Sequence, residues 1–139
     1  MTSQRKMTVT EQDLQRLTRV LEQCEGGRFA QPAELLELEL AEARVAASRE
    51  VPPTLVTMNS SVVFEDEETG SRREVTLCYP RDAFEGGGTR VSVLAPVGGA
   101  LLGRLVGERT ALRVPGGRTR YVRVVAVPYQ PEAAGDLHL

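Results

Sequence analysis

"SVLAPVGGALLGRL", Ser92 to Leu105, can be read in two ways, and the architecture follows from which one the residues allow. It trails an alternating run, "TRVSVL", that reads as a strand, and Gly98 and Gly103 stand at the spacing of the two glycines in a phosphate-binding loop. Such a loop needs a lysine to reach the outer phosphates and a Ser or Thr hydroxyl to ligate magnesium just after its second glycine. Arg104 and Leu105 hold those places, and Leu105 has no oxygen to offer a metal. The alternative is a short helix opened by Pro96 at its first position, with Val97, Leu101 and Leu102 as its apolar residues and Gly103 as its stop. A strand leading into a proline-started helix is the reading the residues favour.

Working outward, Ala111–Val114 reads as a strand, Pro115–Gly117 as a turn and Tyr121–Tyr129 as a long β-branched strand. On the other side, Val91 and Val93 belong to the strand that feeds the helix. Further back, Val62 and Phe64 alternate, "EDEETG" turns the chain, and Val75, Leu77 and Tyr79 alternate again, which is a hairpin. These strands predict an antiparallel sheet with one short helix packed on it.

Before "VPPT", Val51 to Thr54, the apolar period changes from 2 to 3.6. Thr10 followed by Asp13 marks a helix start, and Leu14, Leu17, Leu21 and Cys24 recur at intervals of three and four. "CEGGRFAQP" turns the chain, and a second helix is predicted over Ala33–Arg49 with Leu36, Leu40, Ala43 and Ala47 on one face. The pair makes a short antiparallel coiled-coil hairpin, an arm ~20 Å long at ~1.5 Å per residue. Leu35, Leu38 and Val45 lie off the seam, so the hairpin is expected to lean on something else too. The predicted fold class is α+β, with a helical hairpin arm over residues 1–51 and a sheet domain over residues 52–139.

A chain of 139 residues with 41% hydrophobic content has the material for one compact domain with an appendage. Its start lacks an apolar signal core and its longest apolar run is broken by Pro and Gly, so a cytoplasmic protein away from membranes is expected. Cys24 and Cys78 form no CxxC, and the single histidine, His138, sits near the C-terminus, which argues against structural zinc or a disulfide framework. Charge is uneven: residues 104–139 carry six basic and three acidic side chains, whereas residues 51–103 carry four and seven. Arg104, Arg109, Arg113, Arg118, Arg120 and Arg123 could form an electropositive face, but only Tyr121 is interleaved for base stacking, so direct nucleic-acid binding is not favoured.

Catalytic chemistry needs convergent polar groups. Ser60, Ser61 and Ser92 have no base nearby, because His138 lies in a terminal "GDLHL" segment. The acidic run Glu65, Asp66, Glu67 and Glu68 reads as a soluble hairpin tip rather than a cation loop, and Cys78, mid-strand, as a small buried residue. A binding module without cofactor or metal is expected.

"VSVLAPVGGALLGRLVGERTALRVPGGRTRYVRVVAVPY", Val91 to Tyr129, resembles the C-terminal domain of the bacterial Gre transcript-cleavage factors. "VTMNSSVVF" at Val56–Phe64 and "YQPEAAGD" at Tyr129–Asp136 bring the likeness closer to the short Rnk-type branch, the regulators of nucleoside diphosphate kinase. The resemblance spans residues 52–136 and reaches the hairpin only by architecture. It implies an FKBP-like domain that docks on core RNA polymerase at the rim of the secondary channel, with the arm directed toward that channel. The positions matching the family's contact region are Leu94, Ala95, Pro96 and Val97, of which Leu94 and Pro96 need not be core. Pro96 agrees with the family, while Leu94 and Ala95 stand where Gre factors commonly carry Asp and Ser. Gre arms are longer and end in an acidic pair that helps hold a catalytic magnesium; here the tip runs from Cys24 to Phe29, and Glu22 and Glu25 do not match that motif. An aromatic-lined isomerase pocket is also out of reach at 4% aromatic content with no Trp. The resemblance thus implies a monomeric, non-enzymatic polymerase-binding regulator that competes with Gre factors, with a direct or transcriptional link to nucleoside diphosphate kinase. Stimulation of transcript cleavage through Glu22 or Glu25 is the alternative.

Overall fold

The computed structural model describes residues 6–83, 89–112 and 118–137. Val114 at the expected strand end, the Pro115–Gly117 turn, Arg113 and His138 lie outside the described residues.

The chain opens with a strand, β1 (Thr8–Thr10), that runs straight into helix α1 (Glu11–Gln23). Thr10 is the N-cap: its backbone is extended and its Oγ1 accepts from the Asp13 amide at 3.0 Å, as the Thr10–Asp13 spacing predicts. Helix α2 (Ala30–Ala41) returns antiparallel, and Leu17, Leu21, Ala33, Leu36 and Leu40 are buried along the pair. The second helix stops at Ala41, short of the expected Arg49. The chain leaves it as β2 (Arg44–Ala46), which pairs parallel with β1. Beyond Leu40 the seam offers only alanines, which bury little area, whereas the β1 edge satisfies the backbone: the Arg44 amide donates to the Met7 carbonyl at 2.9 Å.

The main sheet has five strands in the order β5-β4-β3-β7-β6: β3 (Ser61–Asp66), β4 (Arg72–Cys78), β5 (Arg90–Ser92), β6 (Arg109–Leu112) and β7 (Arg120–Tyr129). Period-2 burial places Val62, Phe64, Val75, Leu77, Val122 and Val124 in the core. One strand departs from the antiparallel expectation. β5 runs parallel to β4, with Thr76, Leu77 and Cys78 opposite Arg90, Val91 and Ser92, and a parallel neighbour needs a longer connection than the tight turn of a hairpin.

Helix α3 (Pro96–Leu101) follows β5, and the two glycines of the opening stretch serve packing. A side chain at Gly98 would overlap the carbonyl oxygen of Ser92, and Gly103, at φ +79°, lies against Met7 and Thr8 of the N-terminal strand. Residues 103–106 then pair with residues 54–56; the Val56 amide donates to Arg104 O at 2.9 Å and Gly103 N to Val56 O at 3.0 Å. Helix α4 (Pro131–Ala134) accounts for "YQPEAAGD". Gln130 Oε1 caps it by accepting from the Ala133 amide, Gln130 Nε2 donates to Pro52 O and Leu55 O at 2.8 Å each, and Gly135 ends it at φ +81°. The buried cluster is continuous from Leu17 and Leu36 of the hairpin to Val56, Leu77 and Leu101 of the sheet segment. No described helix is long and apolar enough to cross a membrane.

Candidate docking site

Leu94, Ala95, Pro96 and Val97 form the corner where β5 turns into α3. The corner is held by its own backbone: the Ala95 amide donates to Ser92 O and the Leu94 amide to Ser92 Oγ, both at 3.0 Å. Ala95 is the extended N-cap and Pro96 the first helical residue. The four side chains divide between two environments. Pro96 is exposed and Ala95 half-buried, whereas Leu94 is only 7% exposed and belongs to the core with Val97 packed against it. The expectation that these positions need not be core is therefore corrected for Leu94. Its apolar side chain is drawn in because the Pro96 corner bends the chain back over the sheet.

Ala95 and Pro96 border a groove of about 990 Å³ whose opposite wall is the start of α2. Phe29, Pro32 and Leu35 supply apolar surface from the hairpin; Leu94, Pro96 and Ala100 supply it from the corner and α3. Phe29 and Leu35 are 40% and 43% exposed. Arg28, whose guanidinium stacks over the Phe29 ring at 4.9 Å, and Arg81 bring two exposed cations to the lining, and Arg104, 6% exposed, lies deeper in it. The expectation that the hairpin leans on something else through Leu35, Leu38 and Val45 is corrected: they are 43%, 69% and 45% exposed, and the hairpin meets the sheet segment through the seam residues Leu36 and Leu40, which satisfy the shared core first. Glu22 and Glu25 are exposed at the tip.

Among the described residues, Arg109, Arg118, Arg120 and Arg123 of the C-terminal segment are paired with carboxylates rather than left as a free electropositive face. The acidic hairpin tip binds them: Arg109 Nε meets Glu67 Oε1 at 2.8 Å and Arg123 Nη2 meets Glu67 Oε2 at 3.4 Å, while Arg118 pairs with Glu68 and Arg120 with Asp66. Arg109 also stacks over Tyr121 at 3.6 Å, covering the ring interleaved among these arginines.

A buried carboxylate joins the hairpin to the sheet segment. Asp13 of α1 is 4% exposed, and its Oδ2 accepts from the Met58 amide at 3.0 Å. Burial raises its pKa from 3.8 to about 6; the Met58 hydrogen bond and Arg16 oppose that rise, and the Glu132 carboxylate adds to it. Glu132 itself accepts from Thr57 Oγ1 at 2.7 Å. Burial likewise pushes the Tyr79 hydroxyl and the Cys78 thiol up, so Cys78 is an inert thiol of the core rather than a nucleophile.

Comparison with known proteins matches this architecture from both ends. Residues 51–129 match the family model for the C-terminal region of the GreA/GreB transcription elongation factors, and residues 5–45 match the Rnk N-terminus. The chain is 43% identical over 104 residues to the regulator of nucleoside diphosphate kinase of Escherichia coli K12, covering 75% of this chain and 76% of that protein. It is 37% identical over 81 residues to transcription elongation factor GreA of Solidesulfovibrio magneticus, covering 58% of this chain and 49% of that one. The solved structure of a GreA/GreB elongation factor from Nitrosomonas europaea superposes with a TM-score of 0.72 at 41% identity, over 89% of this chain and 100% of that one. The chain belongs to the GreA/GreB family of transcription elongation factors, in its Rnk-type branch.

Proposed function

We propose that the protein is a cytoplasmic, monomeric regulator that binds core RNA polymerase at the rim of the secondary channel and competes there with Gre factors, without stimulating transcript cleavage. Its mechanism is occupancy. The observation that carries this reading is the size and placement of the hairpin. A first helix of 13 residues gives an arm of ~20 Å, and the residues at its turn, Arg28 and Phe29, line the same groove as Pro96. A tip held beside the docking corner is poorly suited to carrying a carboxylate deep into a channel.

Two other readings each have an observation in their favour. Exposed Glu22 and Glu25 at the tip would suit metal assistance to cleavage, and the 43% identity to the E. coli regulator would suit an effect on nucleoside diphosphate kinase, direct or through transcription. Retention of core polymerase by the immobilised protein tests the proposed reading. Stoichiometric binding that a purified Gre factor displaces is expected, and capture of nucleoside diphosphate kinase with no polymerase would overturn it.

A further inference from the structure

We propose that residues 131–137 are a proton-controlled latch on the helical hairpin: the segment closes over the first turn of α1 while the Asp13–Glu132 pair holds a proton, and opens once both carboxylates are charged.

Three stretches far apart in sequence meet at this joint. Gln12 and Asp13 come from the first turn of α1, residues 57–60 from the turn before β3, and Glu132 from α4. The ties between them are polar. Gln12 Nε2 donates to Leu137 O at 2.7 Å, the Met58 amide to Asp13 Oδ2 at 3.0 Å, and Thr57 Oγ1 to Glu132 Oε1 at 2.7 Å. Asp13, Thr57 and Ser60 are all buried, and Ser60 Oγ accepts from the Thr57 amide at 3.0 Å. Two carboxylates are thus brought together where little water reaches them. Among the described residues, the other charged and titratable groups facing Asp13 are Arg16 on its own helix and Tyr79 just past β4. Burial, and then the Asp13 carboxylate, push the Tyr79 hydroxyl up, so it belongs to the same cluster. Arg16 is one cation set against two acids. Burial first, with Glu132 adding to it, raises Asp13 to about 6, so the pair sheds its proton as pH rises through that value.

The packing decides which side gives way. Like charges in a water-poor site are relieved by admitting water or moving apart. Helix α1 cannot move cheaply, because Leu17 and Leu21 lie in the core. The latch can. Helix α4 is one turn long, and beyond the buried Gln130 and Pro131 its Ala133, Ala134 and Gly135 are exposed. Opening there rehydrates Asp13 while leaving the apolar core intact, which is the kind of local opening that costs least.

The test is amide hydrogen exchange of the full chain between pH 5 and pH 8, corrected for the intrinsic rate of each amide, with every variant confirmed folded by circular dichroism. The reporters are Ala134 and Asp136, whose amides donate within the segment to Gln130 O at 3.0 Å and Pro131 O at 2.8 Å. Their protection should fall by about tenfold or more across that range, since a carboxyl returning from about 6 to 3.8 on opening supplies at most roughly a hundredfold. The Val124 amide of β7, which donates to Glu108 O at 3.0 Å, should stay slower than both at every pH. Asp13→Asn can still accept from Met58 and should hold the reporters constant to within about twofold; Glu132→Gln should move the midpoint of the fall to lower pH. Reporters unprotected at pH 5, or protected equally at both ends of the range, would overturn the latch. So would a wild-type fall that persists in Asp13→Asn, or a midpoint that Glu132→Gln leaves in place. Ala134, Asp136 and Val124 exchanging at one common rate would show that the proton acts on the whole fold and that no separate latch exists.

Discussion

Asp13 shows how far a single residue could be read from the sequence. Its place three positions after Thr10 marked the first turn of a helix, and the cap formed there. Its side chain, however, reaches the amide of Met58, 45 residues further on, and no local spacing encodes that contact. The burial that results has a measurable consequence. Because the folded pKa of about 6 lies above the ordinary 3.8, the folded protein binds the proton more readily than the unfolded chain. The stabilisation is therefore complete below about pH 4 and is lost as pH rises through about 6. Asp13→Asn, which can still accept from Met58, should remove this slope and raise stability at pH 8 by roughly 2 kcal/mol, read by urea denaturation at several pH values. A variant that keeps the wild-type slope would show that the titrating group lies elsewhere. Gly98 and Gly103 teach the complementary lesson: their spacing imitated a phosphate loop, but each is glycine because another backbone or side chain passes too close.

At the scale of elements, alternation located β3, β4 and β7 because each has one face on the core and a tight turn or a long β-branched run to mark it. It missed β2, whose three residues are mostly exposed and owe their form to pairing with β1. It also missed the direction of β5, which the connection decides rather than the strand. The acidic turn and the basic C-terminal strands were each visible as charge runs, but their mutual neutralisation depends on β3 and β6 flanking β7. Glu67 accepts from Arg109 on β6 and Arg123 on β7, with its side chain 26% exposed. Glu67→Gln should destabilise the protein by about 1 kcal/mol at low salt and by less at ~1 M salt, where exposed pairs are screened. An equal loss at both salt concentrations in thermal unfolding would mean that packing, not charge, is what Glu67 contributes.

For the whole molecule, two matching seams announced a hairpin, and the residues off those seams suggested that it leans on something else, although Leu35, Leu38 and Val45 themselves stay exposed. What they could not announce was that Leu17, Leu36 and Leu40 share one buried cluster with Val56 and Leu77, leaving Phe29 and Leu35 to face Pro96 across a groove. The candidate docking corner was legible through Pro96 because a proline at the first helical position has a local cause; the inward turn of Leu94 was not, since it depends on the sheet beneath. The proposed function by occupancy rests on a short arm whose turn lies beside the candidate docking corner. Function by metal assistance would instead require Glu22 or Glu25 to act at a distance from it. These differ by far more than experimental error, because loss of a metal ligand costs orders of magnitude in rate while two exposed glutamates contribute about 1 kcal/mol at most. The direct measurement is RNA cleavage in a backtracked polymerase complex, with and without a Gre factor, titrated with the wild type and with Glu22→Ala/Glu25→Ala. Occupancy requires that both proteins leave intrinsic cleavage unchanged and suppress Gre-stimulated cleavage with similar potency; intrinsic cleavage stimulated by the wild type and lost in the double variant would contradict it.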